Sequence, residues 1–382
     1  MVIEQLSADL DIARCLHELG VDGGGVAILA SKAQLYIISI KGLHVGAANI
    51  LKQDALSVGA DLAVPKGTVV AAEKYVDTLL IATKKQLQTL SRKELAQPFG
   101  LKDVAQEIKA ILKTRKPDHC AVMGVLNAND DSFFSQSRFK DTQALPQIEK
   151  MIRDGAEIID IGAVSSRPGS KAVSADEELA RVRPIIDLLQ DSALLEQAKF
   201  SIDTFQPSVA RYALEHGFHI INDITGLEND ELCEVIAEFG AQAVVMHMKG
   251  SPQTMQKNPH YDDLLDDVYS FLEARIAKAK RFGIDDIVLD VGIGFGKRLE
   301  DNLKLITNLE HFLRLERPLL VGASRKSMID MIDPSKVSER LGGSLALHLA
   351  AAKNGAAIIR VHDVQEHVQA LKVQKALLKG SL

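Results

Sequence analysis

Residues 199–223 read "KFSIDTFQPSVARYALEHGFHIIND". A short apolar run ends on the carboxylate of Asp203. A stretch with helical period follows and closes on His216 and Gly217, the glycine suiting a helix C-cap. A second apolar run then ends on Asn222 and Asp223. This is a strand–helix–strand unit whose strands both finish in polar groups. The pattern recurs on either side. Strands are expected at 121–127, 157–162, 199–203, 219–223, 242–247, 286–290, 318–322 and 357–362. Helical stretches such as "ADEELARVRPIIDLL", "YDDLLDDVYSFLEARIAKAKRFG" and "SERLGGSLALHLAAAKNG" separate them. Eight β-then-α units over about 260 residues match the usual size of a (β/α)8 TIM barrel. A doubly wound sheet is the competing α/β fold, and the number and regularity of the units favour the barrel.

Residues 1–118 read differently. "QLYIISIKGLHVGAANILKQDALSVGADLAVPKG" suggests strand, helix and short strand. "VDTLLIAT" adds a strand, and amphipathic helices run through "KKQLQTLSRKELAQ" and "LKDVAQEIKAILKTRK". The expected organisation is a small α/β N-terminal domain over 1–118 and a barrel over 119–382. "KTRKPDH" (113–119) is the candidate linker, and "GVDGGG" (20–25) is read as a flexible turn. No catalytic constellation stands out in the first domain.

Of the 382 residues, 46% are hydrophobic and 25% charged, an ordinary globular balance. With 45 Lys and Arg against 51 Asp and Glu the formal charge is −6, which argues against nucleic acid as a partner. No apolar run approaches the roughly 20 residues that span a bilayer, and the N-terminus lacks the pattern of a secretory signal. Cys15, Cys120 and Cys233 lie far apart and form no Cys-x-x-Cys motif, which fits a reducing cytoplasm.

The polar strand ends converge on one rim if the barrel closes. They are Asn127, Asp160, Asp203, Asn222 with Asp223, His247, Asp290, Arg360 and His362. "DVGIGFGK" (290–297) spaces its glycines as G-x-G-x-G, so it is neither the dinucleotide fingerprint nor a Walker loop. It lets a backbone approach a ligand closely, and Asp290 before it can accept from a guanidine-like edge. A loop that merely turns the chain is the alternative. "GASRKS" (322–327) puts Arg325 and Lys326 on the rim after the seventh barrel strand, a frequent anion site. Arg360 and His362 share one face of the last strand, and the barrel mouth suits an arginine better than the outer helix layer. "VSSRPGS" (164–170) combines hydroxyls and an arginine. His247 has no second ligand at metal-binding spacing and reads as a hydrogen-bonding residue.

Together, "MGVLNANDDSF", "GAEIIDIGAVSSRPGS", "SIDTFQPSVARYALEHGFHIINDITGL", "VVMHMKGSPQTMQ", "LDVGIGFGK", "LLVGASRKSMI" and "IIRVHDV" resemble the dihydropteroate synthase family over roughly 120–378. The resemblance implies condensation of 6-hydroxymethyl-7,8-dihydropterin diphosphate with p-aminobenzoate, diphosphate release, dependence on Mg2+, and a homodimer. It implies pterin contacts for Asp203, Asn222 and Asp290. Lys326 would touch the pterin near the p-aminobenzoate site, and Ser327 would hold the p-aminobenzoate carboxylate. Arg360 and His362 would bind the diphosphate, and Asn127 the metal. Ser166 and Arg167 fall in the second mobile loop. Catalysis would rest on Lys326, Arg360, His362 and Asp203, without a nucleophilic side chain.

Both mobile loops depart from the family. The usual Asn-Val-Thr-Pro-Asp-Ser-Phe is Asn127-Ala-Asn-Asp-Asp131-Ser-Phe133 here, and the later Asp-Gly-Gly is "SQS". The usual Gly-Glu-Ser-Thr-Arg is Ala163-Val164-Ser165-Ser166-Arg167, and Val291 stands where proline is common. A non-catalytic pterin-binding protein with drifted loops is therefore one alternative; a pterin-dependent methyltransferase, which shares a similar barrel and pterin carboxylates, is another, and "SRKS" and "RVHDV" argue against it.

Overall fold

The structure, a computed structural model, describes residues 1–8, 10–128, 144–163, 173–251, 253–255 and 258–378. It divides into two compact units, Met1–Thr114 with Gln374–Leu382, and Arg115–Val373. The expected boundary at 118/119 thus moves to 114/115. The helix Leu101–Lys113 ends there, where Thr114 turns extended.

The first unit is built on a three-stranded antiparallel sheet of β1 (Leu35–His44), β2 (Asp61–Ala63) and β3 (Tyr75–Thr83), in the order β1-β3-β2. β3 alternates strictly. Val76, Thr78, Leu80 and Ala82 are buried while their neighbours face outward, as a strand covered on one side requires. Leu51, Leu87, Leu90, Leu101 and Ile108 from the helices fill the covered side. The glycine run read as a turn is instead the start of a helix, Gly23–Ala33. The Asp22 carboxylate accepts the Gly25 N–H at 3.0 Å, and this N-cap outweighs the poor helix propensity of three glycines in the first turn.

The second unit holds the eight expected strands: β4 (Ala121–Asn127), β5 (Ile158–Gly162), β6 (Lys199–Asp203), β7 (Ile220–Asp223), β8 (Gln242–Met246), β9 (Ile287–Asp290), β10 (Leu319–Val321) and β11 (Ile358–Val361). They close into a parallel barrel in the order β10-β11-β4-β5-β6-β7-β8-β9. Period-two alternation splits the apolar residues into two cores. Met123, Ile158, Ile220, Val244, Val288, Leu320 and Ile358 fill the barrel interior. Their neighbours Val122, Ile159, Ile221, Ala243, Leu289, Val321 and Ile359 join the large core that includes helix residues such as Ile186, Leu232 and Leu272. The glycines after helices Asp230–Phe239 and Leu264–Phe282, Gly240 and Gly283, adopt left-handed C-cap conformations as expected.

Above the interior apolar layer, the inward positions become polar. Asp160 lies two residues beyond Ile158, Asn222 beyond Ile220, Asp290 beyond Val288 and Arg360 beyond Ile358. The register pairs Gly162 with Asp203 and Asp203 with Asn222 at the strand ends, so the rim residues meet at one level.

Candidate active site

The site begins at Asp160, a single carboxylate in the apolar strand β5, with no solvent exposure. Its oxygens accept from Ser201 Oγ at 2.6 Å, Asn222 Nδ2 at 3.1 Å and Arg360 Nε at 2.6 Å. Arg360 reaches across from β11 and also donates through Nη2 to Asp203 Oδ2 at 2.8 Å. One guanidinium therefore bridges two carboxylates on adjacent strands. Burial pushes Asp203 up to about 7; Arg360 pulls against that rise, while Asp160, Glu178 and Asp223 add to it. The same two carboxylates hold Arg360 firmly cationic, against the cost of burial.

Across the mouth, Asp290 ends β9. Its Oδ1 accepts the Gly292 N–H at 2.7 Å, and burial raises its pKa despite that bond and the nearby Lys326 and Lys297. The loop behind it holds Gly292 at φ 70° and Gly296 at φ 62°. A Cβ at these positions would lie 1.8 Å from the His247 carbonyl oxygen and 2.3 Å from that of Lys249, so no side chain fits. Lys297 closes the loop from within. Its buried Nζ donates to the carbonyls of Gly292 at 2.9 Å, Phe295 at 3.0 Å and His247 at 3.2 Å, and lies 2.9 Å from His247 Nδ1. A charged ammonium has no acceptor, so opposite the cationic form of Lys297 His247 Nδ1 is unprotonated and accepts. Burial, then Lys297, depresses His247 to about 2. Burial also lowers Lys297 to about 7, against the pull of Asp290 and Asp301. His247 is thus a hydrogen-bonding residue, as its sequence context indicated.

Lys326 lies beside this loop, its Nζ 4.3 Å from the centroid of the Phe295 ring. Phe295 belongs to an apolar cluster with Ile224, Met246 and Met255. Asp290, Lys326 and Phe295 thus adjoin, and Asp160, Asn222, Asp203 and Arg360 form a single network.

His362 is exposed beyond β11 and its Nδ1 lies 2.9 Å from Ser324 Oγ. Ser327 is exposed at the start of the helix Ser327–Ile332. Asn127 is half-buried at the end of β4, opposite Gly162. Ser166 and Arg167 lie outside the described residues, as do 129–143 of the altered first loop. Two rim readings change. Asp223 alternates outward from Asn222 and serves the chain itself, accepting the N–H groups of Thr225 and Leu227 at 2.7 Å each. Arg325 pairs with Asp363, Nε to Oδ2 at 3.0 Å, so it ties two loops together.

The model of the family described as "pterin binding enzyme" matches residues 123–362. Dihydropteroate synthase from Escherichia coli is 43% identical over 265 residues, covering 69% of this chain and 93% of the relative. The chain belongs to the dihydropteroate synthase family. A Helicobacter pylori protein named bifunctional dihydropteroate synthase/dihydropteroate reductase is 41% identical over 377 residues, 99% of either chain, so the N-terminal unit has a counterpart there. Among solved structures, the Yersinia pestis dihydropteroate synthase in a sulfonamide drug complex is 39% identical. It superposes with a TM-score of 0.64, covering 69% of this chain and 95% of that one. The Burkholderia cenocepacia synthase complexed with 7,8-dihydropteroate is 38% identical, with a TM-score of 0.61, 68% of this chain and 92% of that one.

Two residues stand out here that sequence reasoning left without a role. Asp160 was visible as the one carboxylate in β5, in phase with the interior. Lys297 gave no local signal, because its acceptors are backbone carbonyls. Replacing it should be severe: Lys297→Met leaves three buried carbonyls and one imidazole nitrogen without their donor. We expect a loss of about 3 kcal/mol or more in urea unfolding.

Proposed function

We propose that the chain is a dihydropteroate synthase: it joins 6-hydroxymethyl-7,8-dihydropterin diphosphate to p-aminobenzoate, giving 7,8-dihydropteroate and diphosphate. The observation that carries this reading is the Asp160–Arg360–Asp203 network with Asn222 and Asp290 in one barrel mouth. A pterin presents adjacent N–H donors along one edge. Buried carboxylate and amide oxygens on neighbouring strands suit such an edge, and Phe295 and Met246 offer apolar surface for a flat ring.

In the reaction the bond between the pterin methylene and the diphosphate oxygen breaks, and a carbon–nitrogen bond to the arylamine forms. The amine proton leaves to diphosphate or water. Arg360, His362 and Lys326 supply positive or hydrogen-bonding groups where negative charge develops on the leaving oxygen. No covalent enzyme intermediate is needed, which accords with a site built from carboxylates, cations and amides. Ser327, exposed at a helix start, would receive the p-aminobenzoate carboxylate.

A Mg2+ ion belongs to the same reading. Asn127 offers a hard carbonyl oxygen at the rim, and the described residues contain no group of three or more His, Cys, Asp or Glu that could hold a metal. That sparse donor set fits an ion held largely by the substrate's own phosphates. When bound, the ion would neutralise charge on the departing diphosphate. We place the reaction in the cytoplasm and the protein in a homodimer. Three free cysteines fit a reducing compartment, and no helix among the described residues is long and apolar enough to cross a membrane.

The end-to-end match to the bifunctional Helicobacter protein favours a second activity, reduction of dihydropteroate. It requires a hydride and a proton, so a reduced nicotinamide or flavin must serve as donor.

The test is diphosphate release by the full chain given dihydropterin diphosphate, Mg2+ and p-aminobenzoate. Release should require p-aminobenzoate and fall about 100-fold or more in Lys326→Ala and Asn127→Ala. Pterin binding without release would leave only a binding protein. Adding reduced nicotinamide or flavin to the product mixture should then give dihydropteroate-dependent donor oxidation. None would confine the chain to the synthase.

A further inference from the structure

Two buried histidines lie outside every step above. His348 sits in the helix Leu341–Lys353 and His367 in the helix Val364–Leu378, each about 1% exposed. The Ala323 N–H donates to His348 Nε2 at 2.9 Å. A backbone N–H cannot accept, so that nitrogen is bare and His348 carries its proton on Nδ1. His348 Nδ1 lies 2.9 Å from His367 Nε2, which must therefore accept. His367 in turn carries its proton on Nδ1 and donates it to the Asp363 carbonyl at 2.6 Å. An obligatory donor at one end and an obligatory acceptor at the other set this proton order, with the Ser344 backbone also facing the His367 ring. Burial depresses both rings, His348 well below its usual range.

The two ends of this chain are the two loops of the expected diphosphate site. Ala323 opens the segment that runs through Lys326 to Ser327 after β10. Asp363 follows Arg360 and His362 after β11. Two further links run beside it, Arg325 to Asp363 and Ser324 to His362. Arg325 is itself in the left-handed region at φ 56°, its N–H held by Ser344 Oγ at 2.8 Å and its carbonyl by Arg340. A strained turn of this kind keeps its shape only if its surroundings over-determine it. The direct links between the β10 and β11 loops are thus backed by a second connection through the helices behind them.

We propose that His348 and His367 are positioning residues that set the spacing of the β10 and β11 loops for a diphosphate, acting through Ala323 and Asp363. The proposal rests on the synthase reading. It separates the two halves of the site. The carboxylates and amide expected to meet the pterin lie on β6, β7 and β9; of the expected pterin contacts only Lys326 sits on a loop the relay holds. The diphosphate side depends on it directly.

The probes are inorganic pyrophosphate with Mg2+, and 7,8-dihydropterin without a diphosphate, titrated into the full chain. His348→Leu and His367→Leu should each weaken pyrophosphate about tenfold, the scale of one lost buried hydrogen bond, and leave dihydropterin within about twofold. The double variant should be no worse than the worse single one within about twofold, since either cut opens the same chain. Unchanged pyrophosphate affinity, an equal loss for both probes, or single effects that multiply would overturn the proposal. Should the variants not fold, 15N spectra of the wild-type imidazoles decide it. Both rings should be neutral with the proton on Nδ1, and an Nε2–H tautomer on either would refute the relay. Wild-type turnover in the same preparation tests the synthase reading separately. Diphosphate release with relay variants that bind pyrophosphate normally would sink only the positioning role.

Discussion

The half-buried Arg360 guanidinium, bridging Asp160 and Asp203, is the interaction on which the site depends. A barrel interior tolerates a carboxylate only when it is paired or fully hydrogen-bonded. Asp160 meets that condition through Ser201, Asn222 and Arg360. Asp203 is paired through Oδ2 with Arg360. The network also orders the mouth. Because Arg360 is held from two strands, β5, β6 and β11 are locked at one level, and Asn222 on β7 joins through Asp160. Removing the cation would leave two uncompensated carboxylates next to Asp290, a larger penalty than the pair itself is worth.

The opposite side of the mouth is held by different means. Lys297 gathers three backbone carbonyls and an imidazole, so the glycine loop after β9 is shaped around one buried lysine amine. The two sides share a principle. Buried charge is used to fix backbone and side-chain geometry, and the polar atoms that remain exposed form the site.

Much of this was legible in the sequence. All eight barrel strands were readable from apolar runs bounded by polar groups, and period two placed Arg360 and His362 on one face. The family resemblance brought out Asp203, Asn222 and Asp290 at strand ends, and Lys326 before the helix Ser327–Ile332, because they lie within recognisable stretches. Pairings across the fold were not readable. Asp160 and Arg360 are 200 residues apart, and nothing local in either strand announces the other. The same holds for His348 and His367, which look like ordinary helix positions until their loops are located. Local rules also failed at Gly23–Ala33, where a single N-cap aspartate makes a helix of a glycine run. The altered loops around Asn129 and Ser166 lie outside the described residues, so their departures from the family pattern remain a statement about sequence alone.

Burial raises the pKa of Asp203 although Arg360 pairs with it, so its ionisation should respond to a donor edge. Titration of 7,8-dihydropterin in buffers of different ionisation enthalpy measures this directly. Burial raises the Asp203 pKa to about 7, and the ionised carboxylate is the stronger acceptor for a pterin N–H edge, so binding near pH 6 favours loss of its proton. Binding should release about one proton near pH 6, fewer as pH rises, and almost none by about pH 8, with affinity increasing over the same window. Asp203→Asn should bind more weakly and without that proton. A proton count that does not change with pH, or one that persists in Asp203→Asn, would contradict the central role given to this carboxylate.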